Sequence, residues 1–180
     1  MKLFLKICLL AVPPLLLISC ASQKNPPATV SSFDKTRYAG EWHEIARLPN
    51  RFEKDVVAAK ATYGINPDGS VSVLNEGMKS DGTMTKIRGT ARPNSSGKAG
   101  QLKVRFDEFP ANLFAGDYWV LKVNDSYTRA LVASPDKKFL WLLSKDPDDK
   151  APDFTSYIAH AEAQGFNTGG LFFNPHRITE

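Results

Sequence analysis

The chain has 180 residues. The first twenty or so look like a targeting segment, and roughly 160 then remain, which suits one domain with a sizeable core. The formal net charge of +4 falls to +2 once Lys2 and Lys6 leave with that segment, which is too weak to indicate nucleic-acid binding. Cys8 lies inside the segment and Cys20 at its end. The domain itself therefore has no thiol for a disulfide, a metal site or a nucleophile.

The N-terminal segment ends in a pattern similar to the lipobox of bacterial lipoproteins. An apolar run over residues 7–18 follows two lysines, and Leu-Ile-Ser-Cys closes it at Cys20. This pattern predicts a signal peptide over residues 1–19 and lipidation of Cys20, whose several acyl chains would hold the protein to a membrane. The alternative interpretations of this segment are an ordinary secretory signal that is cleaved nearby and a short transmembrane segment. The run is short for a span, and Pro13 and Pro14 disfavour a long helix.

The remaining chain divides into a tether and a β-rich domain. Residues 20–32 are mostly polar, contain adjacent prolines and predict an extended tether, whereas residues 33–180 form the predicted barrel domain. In that domain, short runs rich in Val, Tyr, Leu and Thr alternate with turn clusters such as "NPDGS" and "SPDKK", as in an all-β sandwich or barrel. The eight predicted strands are about 40–48, 56–65, 70–77, 83–92, 100–107, 117–124, 127–134 and 138–145. Short turns between successive strands imply antiparallel neighbours.

Alternation along the strands predicts which side chains face inward, because residues two apart share a face. Several inward positions are small, among them Ala59, Ala61, Gly89 and Ala91. If eight strands close, such an interior holds one small ligand. The alternative is that bulky inward side chains on facing strands fill the space beside these small residues and leave no cavity. The predicted lining residues are Val57, Ala59, Ala61, Tyr63, Ile87, Gly89, Leu102, Val104, Phe106 and Trp119.

The last predicted strand is apolar on both faces, so its outer face needs a cover. The segment after it places Phe154, Tyr157, Ile158 and Ala161 at helical spacing and predicts a C-terminal α-helix packed on the outside. A short extra strand is predicted at 171–173.

The chain resembles the lipocalins, and specifically the bacterial outer-membrane lipocalins with their apolipoprotein D-like relatives. The likeness runs roughly from residue 33 to 173 in matching order, and it is carried by "FDKTRYAGEWHEIARLPNRFEK" (33–54), "ATYGINPDGSVSVLNEG" (61–77), "DYWVLKV" (117–123) and "YTRALVASPDKKFLWLLSK" (127–145). The resemblance implies an eight-stranded antiparallel up-and-down β-barrel of the lipocalin (calycin) type, with one outer helix and a short extra strand.

The resemblance also implies how the barrel is closed at its base. Gly40 would allow a sharp backbone turn, and Trp42 would lie across the base as a plug. In the family an arginine packs over that ring, whereas this chain has Lys145, which keeps a cation–π contact but lacks the planar guanidinium. Glu44 lies two residues after Trp42 and should point to the same side of the strand, toward the base of the cavity. If a bulge changes the alternation, Glu44 instead lies exposed and pairs with a neighbouring strand.

The open end is expected at the loops over residues 48–55 and 109–116. Its predicted rim residues are Arg51, Phe109, Leu113 and Phe114. The apolar residues of the second loop either rim the mouth or fold back onto the core, and contact with a second barrel or a membrane surface is a further possibility.

By resemblance, the chain is a membrane-anchored protein that binds and transports or stores small hydrophobic ligands, with fatty acids or lysophospholipids expected. It would lie at the outer membrane facing the periplasm, without cofactor, metal or nucleic-acid partner, and a homodimer is possible. An enzyme is not expected, because the domain has no cysteine, no Gly-x-Ser-x-Gly motif and only separated histidines. The alternative is a structural or stress-related envelope lipoprotein with no transported ligand.

Overall fold

Eight strands close into one antiparallel barrel in a computed structural model that describes residues 25–108, 110–113 and 115–178. The elements in chain order are α1 (Lys35–Tyr38), β1 (Gly40–Arg47), β2 (Val56–Ile65), β3 (Val71–Lys79), β4 (Met84–Pro93), β5 (Gln101–Phe106), β6 (Ala115–Val123), β7 (Arg129–Ala133), β8 (Leu140–Ser144), α2 (Thr155–Ala163) and β9 (Phe172–Phe173). Consecutive strands from β1 to β8 pair antiparallel, and β8 pairs back with β1. The predicted up-and-down barrel is confirmed, with every end of its eight strands within two residues of the prediction.

The predicted signal peptide (1–19) and Cys20 lie outside the described residues, as do Phe109 and Phe114. Within the described ranges, no helix is both long enough and apolar enough to cross a bilayer. The described part of the tether packs against the barrel instead of extending freely. The amide of Val30 donates to the carbonyl of Val120 at 3.1 Å, and a Cβ on Gly100 would lie 2.8 Å from the Val30 side chain. Glycine is therefore required at this position, just before β5, where the N-terminal segment packs against the barrel.

The C-terminal helix covers one outer side of the barrel, as predicted. Phe154, Tyr157 and Ala161 are buried in a cluster with outward side chains of β1, β6, β7 and β8. Because the helix also buries the outer face of β8, that strand is apolar on both faces, which explains why it shows no alternation. The short β9 then pairs with the second half of β1.

The narrow end of the barrel is closed by aromatic side chains. Trp42 has no exposed surface, its ring stacks on Tyr38 at 4.5 Å, and its indole N–H donates to the Tyr38 carbonyl at 2.7 Å. Gly40 has φ +107°, a conformation that side-chain-bearing residues rarely adopt, so glycine is needed between α1 and β1. The plug is thus held by the turn that precedes it.

Lys145 occupies the outer side of this plug. Its ammonium lies 5.2 Å from the Trp42 ring and donates to the carbonyls of Arg37 at 3.0 Å and Ala39 at 2.9 Å. A lysine therefore both covers the indole and caps the C-terminal end of α1, where carbonyls lack helical partners. Partial burial lowers the pKa of Lys145.

We expect Lys145→Ala to lower the free energy of unfolding by about 1 kcal/mol, because a cation–π contact and two hydrogen bonds are lost. Lys145→Arg, which keeps the cation, should retain most of the stability. The measurement is urea unfolding followed by tryptophan fluorescence. Lys138→Ala serves as the control, since Lys138 is an exposed surface lysine. Equal stabilities of Lys145→Ala and Lys138→Ala would show that the plug needs no cation.

Candidate ligand-binding site

The inner wall of the barrel is built from residues that the strand registers place side by side. Trp42 lies opposite Ala61, Ala61 opposite Asn75, and Asn75 opposite Ile87. A second row joins residues of β2 to β5, and a third joins those of β3 to β6. The second row is Tyr63, Val73, Gly89 and Phe106, and the third is Val71, Ala91, Val104 and Gly116. Ala59 shares the parity of Ala61, and Leu102 lies opposite Tyr118.

The inward placement predicted for Trp119 is wrong. Trp119 lies opposite Gln101 on the outer face and packs in the cluster beneath the C-terminal helix. It also lines a depression of about 800 Å³ between the N-terminal segment and the turn that joins β4 to β5. Tyr118 is the inward residue at this level. From Tyr118 to Leu121 both faces of β6 are apolar because the helix covers the outer one, so alternation within this stretch could not fix the phase of the strand.

A bulge changes the predicted alternation at the start of β2. The pairing with β3 shifts between Val56 and Ala58, and a Cβ on the inward Gly77 would lie 3.4 Å from the Val56 side chain. Val56 therefore takes the inward place predicted for Val57. Counting every second residue along a strand cannot detect such a bulge, because one inserted residue exchanges the inward and outward positions beyond it.

Three tyrosine hydroxyls meet inside the barrel above the plug. The Tyr118 hydroxyl lies 2.8 Å from that of Tyr38 and 3.0 Å from that of Tyr63. Burial raises the pKa of all three, that of Tyr63 to about 12, so they stay protonated at neutral pH. The two hydrogen bonds within this cluster use two of the three hydroxyl protons. One O–H near the base of the barrel therefore remains to donate to another acceptor.

Exposure along the inner wall increases from the base to the open end. Inward residues near the base are buried, as Val73, Ala91 and Ala130 show. Inward residues nearer the other end keep part of their surface exposed: Ala59, Ile87, Phe106 and Trp141. The interior is thus filled at one end and accessible at the other. Between the two, the side-chain oxygen of Asn75 is buried without a hydrogen-bond partner among the described residues.

A buried charged group lies where β1 separates from β2. The guanidinium of Arg47 donates to Glu44 Oε1 at 2.8 Å and to Asn174 at 2.7 Å. It also donates to the carbonyl of Glu53 on the loop that follows β1 and to the carbonyl of Val56 at the start of β2. The Glu53 carboxylate in turn accepts from the indole of Trp141 at 3.2 Å. Arg47 therefore ties the wall, the first mouth loop and the C-terminal segment together.

The C-terminal segment fills the gap between these two strands. Asn174 donates through its amide to Glu44 and through its backbone to the carbonyl of Ile45, while the backbone of His176 donates to Val57 on β2. Sequence reasoning missed Arg47 and Asn174. No local pattern marks either residue, because they lie 127 positions apart in the chain.

This arrangement changes the protonation of Glu44. Its carboxyl is buried, and burial together with the nearby Glu53 carboxylate outweighs the attraction of Arg47, so its pKa is raised to about 8. Two carboxyl groups thus share one guanidinium, and one of them keeps a proton at neutral pH.

The predicted rim residues are distributed as follows. Arg51 is exposed on the loop after β1, with its guanidinium 4.8 Å from the Phe52 ring. Leu113 is exposed on the loop before β6 and does not fold back onto the core. Among the described residues, no cluster of His, Cys, Asp and Glu could hold a metal ion.

Comparison with known proteins places this architecture in a family. The Lipocalin-like domain family matches residues 33–176. The chain is 34% identical over 160 residues to Outer membrane lipoprotein Blc of Escherichia coli (strain K12), covering 87% of this chain and 88% of that protein. It is 33% identical over 163 residues to Temperature-induced lipocalin-1 of Arabidopsis thaliana, covering 88% and 87%. The chain therefore belongs to the lipocalin family.

More distant similarities agree with this assignment. Apolipoprotein D of Mus musculus is 32% identical over 128 residues, covering 67% of this chain and 65% of that protein. Among solved structures, insecticyanin from the tobacco hornworm Manduca sexta superposes with a TM-score of 0.66 at 22% identity, covering 83% of this chain and 84% of that one. At that identity the likeness shows the fold alone.

The raised pKa of Glu44 predicts a specific pH dependence of stability. The folded-state pKa lies above the unfolded one, so the stabilisation by the bound proton is complete below about pH 4.5 and is lost as pH rises through about 8. Glu44→Gln mimics the protonated form and removes this dependence. The stability of the native chain relative to Glu44→Gln should therefore fall by up to about 1.4 kcal/mol per pH unit across this window.

The measurement is urea unfolding of both chains at intervals from pH 5 to about 9. Burial lowers the pKa of His43, but His43 is present in both chains, so its titration cancels in the difference. A difference that does not change with pH would mean that Glu44 is ionised throughout.

Proposed function

We propose that this protein binds small hydrophobic ligands inside the barrel. The observation that carries the proposal is the one-sided interior, plugged by Trp42 at the base and partly exposed at the other end. Its accessible part is lined mainly by apolar side chains such as Ile87 and Phe106. Burying an apolar chain against them contributes about 25 cal/mol per Å².

The ligand class we propose is a fatty acid or a lysophospholipid. A single acyl chain suits an apolar interior that is plugged at its base, and its polar end suits the other, partly exposed end. The inner wall also offers isolated polar atoms, including the Asn75 oxygen and one tyrosine hydroxyl. A bound water beside the acyl chain would satisfy such buried groups.

The proposed setting is the outer membrane, with the barrel in the periplasm. Two observations support it: the lipobox-like pattern before Cys20 and the similarity to proteins named Outer membrane lipoprotein Blc. In this proposal residues 1–19 are removed and the lipidated Cys20 anchors the chain. Metabolic labelling with palmitate, lost in Cys20→Ser, tests the anchor separately from ligand binding.

Ligand binding is tested with the chain from Ser22 onward, which keeps every described residue. After extraction with organic solvent it should bind a fluorescent fatty acid, and lipid extracted from the untreated protein should be identifiable by mass spectrometry. Ala61→Phe places a ring on the inner wall and should weaken probe binding about ten-fold or more. Thr62→Phe puts the same ring on the outer face of the same strand and should leave probe binding unchanged.

Unfolding in urea should first show that both variants are folded. Equal probe affinity of the two variants would place the binding site outside the barrel. Failure of the native chain to bind either lipid or probe would favour an envelope protein that carries no ligand.

A further inference from the structure

Loops and turns around the open end carry apolar side chains that face solvent. Phe52 after β1 is 69% exposed, Leu113 before β6 is 61% exposed, and Met84 at the start of β4 is 43% exposed. Within the described part of the chain, these are the three most exposed large apolar side chains. Their position on three separate connections at one end of the molecule indicates a surface that contacts an apolar phase.

Phe52 belongs to a row of stacked rings that runs into the barrel. Its ring stacks on Phe139 at 5.9 Å, and Phe139 stacks on Trp141 at 5.7 Å. Trp141 lies on the inner wall opposite Val132. An aromatic surface therefore leads without a break from an exposed loop to the interior.

Basic residues lie on the two loops beside this row. Arg51 and Lys54 flank Phe52, and Lys137 and Lys138 precede Phe139. Asp55 and Asp136 lie on the same two loops, and Asp136 pairs with Lys138 at 3.1 Å. The acidic Glu53 of the first loop points inward, where it accepts from Trp141. Cations next to exposed rings are typical of surfaces that meet anionic lipid headgroups, because the rings enter the interface while the cations stay at its polar edge.

The N-terminal segment passes close to the same end. The amide of Ala28 donates to the side chain of Gln164 at 2.5 Å. A Cβ on the adjacent Gly165 would lie 3.1 Å from the ammonium of Lys137, on the loop between β7 and β8. Cys20 precedes Ala28 by eight residues, which span at most about 28 Å. A lipid on Cys20, as proposed above, is thus within reach of the mouth.

We propose that the open end of the barrel docks onto a lipid bilayer, with Phe52 and Leu113 entering the interface. The docking surface consists of Arg51, Phe52, Lys54, Met84, Leu113, Lys137 and Lys138. Docking is distinct from ligand binding, because this surface holds the protein on a membrane whether or not the interior is occupied.

The test is co-sedimentation of the chain from Ser22 onward with vesicles of phosphatidylcholine, alone or mixed with phosphatidylglycerol. The absence of Cys20 removes any anchor. The double variant Phe52→Ser with Leu113→Ser should lower the partition coefficient about ten-fold or more, given the free energy of burying such side chains. Ile65→Ser is the matched control, since Ile65 is 40% exposed at the opposite end of the barrel, and it should bind vesicles like the native chain.

Three results would overturn docking itself. The first is no binding of the native chain to either type of vesicle, and the second is an equal loss of vesicle binding in the double variant and in Ile65→Ser. The third is that the native chain is a dimer and the double variant a monomer, with no change in vesicle binding. The last result would make a second copy of the chain the occupant of this surface. Titration with the fluorescent fatty acid keeps the two proposals apart. Lost vesicle binding with unchanged probe affinity supports docking alone, whereas lost probe binding in Ala61→Phe with unchanged docking concerns only the interior.

Discussion

The stacking of Trp42 on Tyr38 at the narrow end of the barrel fixes the arrangement of the inner wall. Because Trp42 stacks on Tyr38 inside the barrel, it sets the phase of the first half of β1. The strand registers pass that phase to Ala61, Asn75 and Ile87 on the next three strands. A shift of the pairing register by one residue would move the inward side chains of a strand to its outer face. The plug thus has two effects: it closes the base, and it decides which side chains are available to a ligand.

A second constraint acts where β1 leaves β2. The C-terminal segment fills the resulting gap and brings Asn174 to a buried pair of Glu44 and Arg47. Burying charges is costly unless each is compensated, and here one guanidinium bonds two side chains and two backbone carbonyls. This group couples the wall of the barrel to the loop that carries Phe52. The mouth is therefore positioned by the interior and not only by its own loop sequence.

The two proposals meet at the row of rings from Phe52 to Trp141. A bilayer surface at the open end would place the acyl chains of the membrane next to the apolar part of the interior. A hydrophobic ligand could then move between membrane and barrel with little exposure to water, which lowers the cost of transfer. The gradient from a buried base to an accessible mouth is what such a path requires.

The sequence by itself determined the number and order of the strands, the outer helix and the family, because turn residues, alternation and motif spacing are local properties of the chain. It also located most of the inner wall, where one face of a strand is polar, as with Val104 and Phe106. Only the tertiary structure decided the phase of β6 at Trp119 and the bulge at Val57. The partnership of Arg47 with Asn174 was likewise settled by the fold. The physical reason is the same in all three cases. A helix covers one face of β6, a partner strand fixes the register of β2, and the C-terminal segment compensates a buried charge. Each of these partners comes from a distant part of the chain, so no local pattern predicts it.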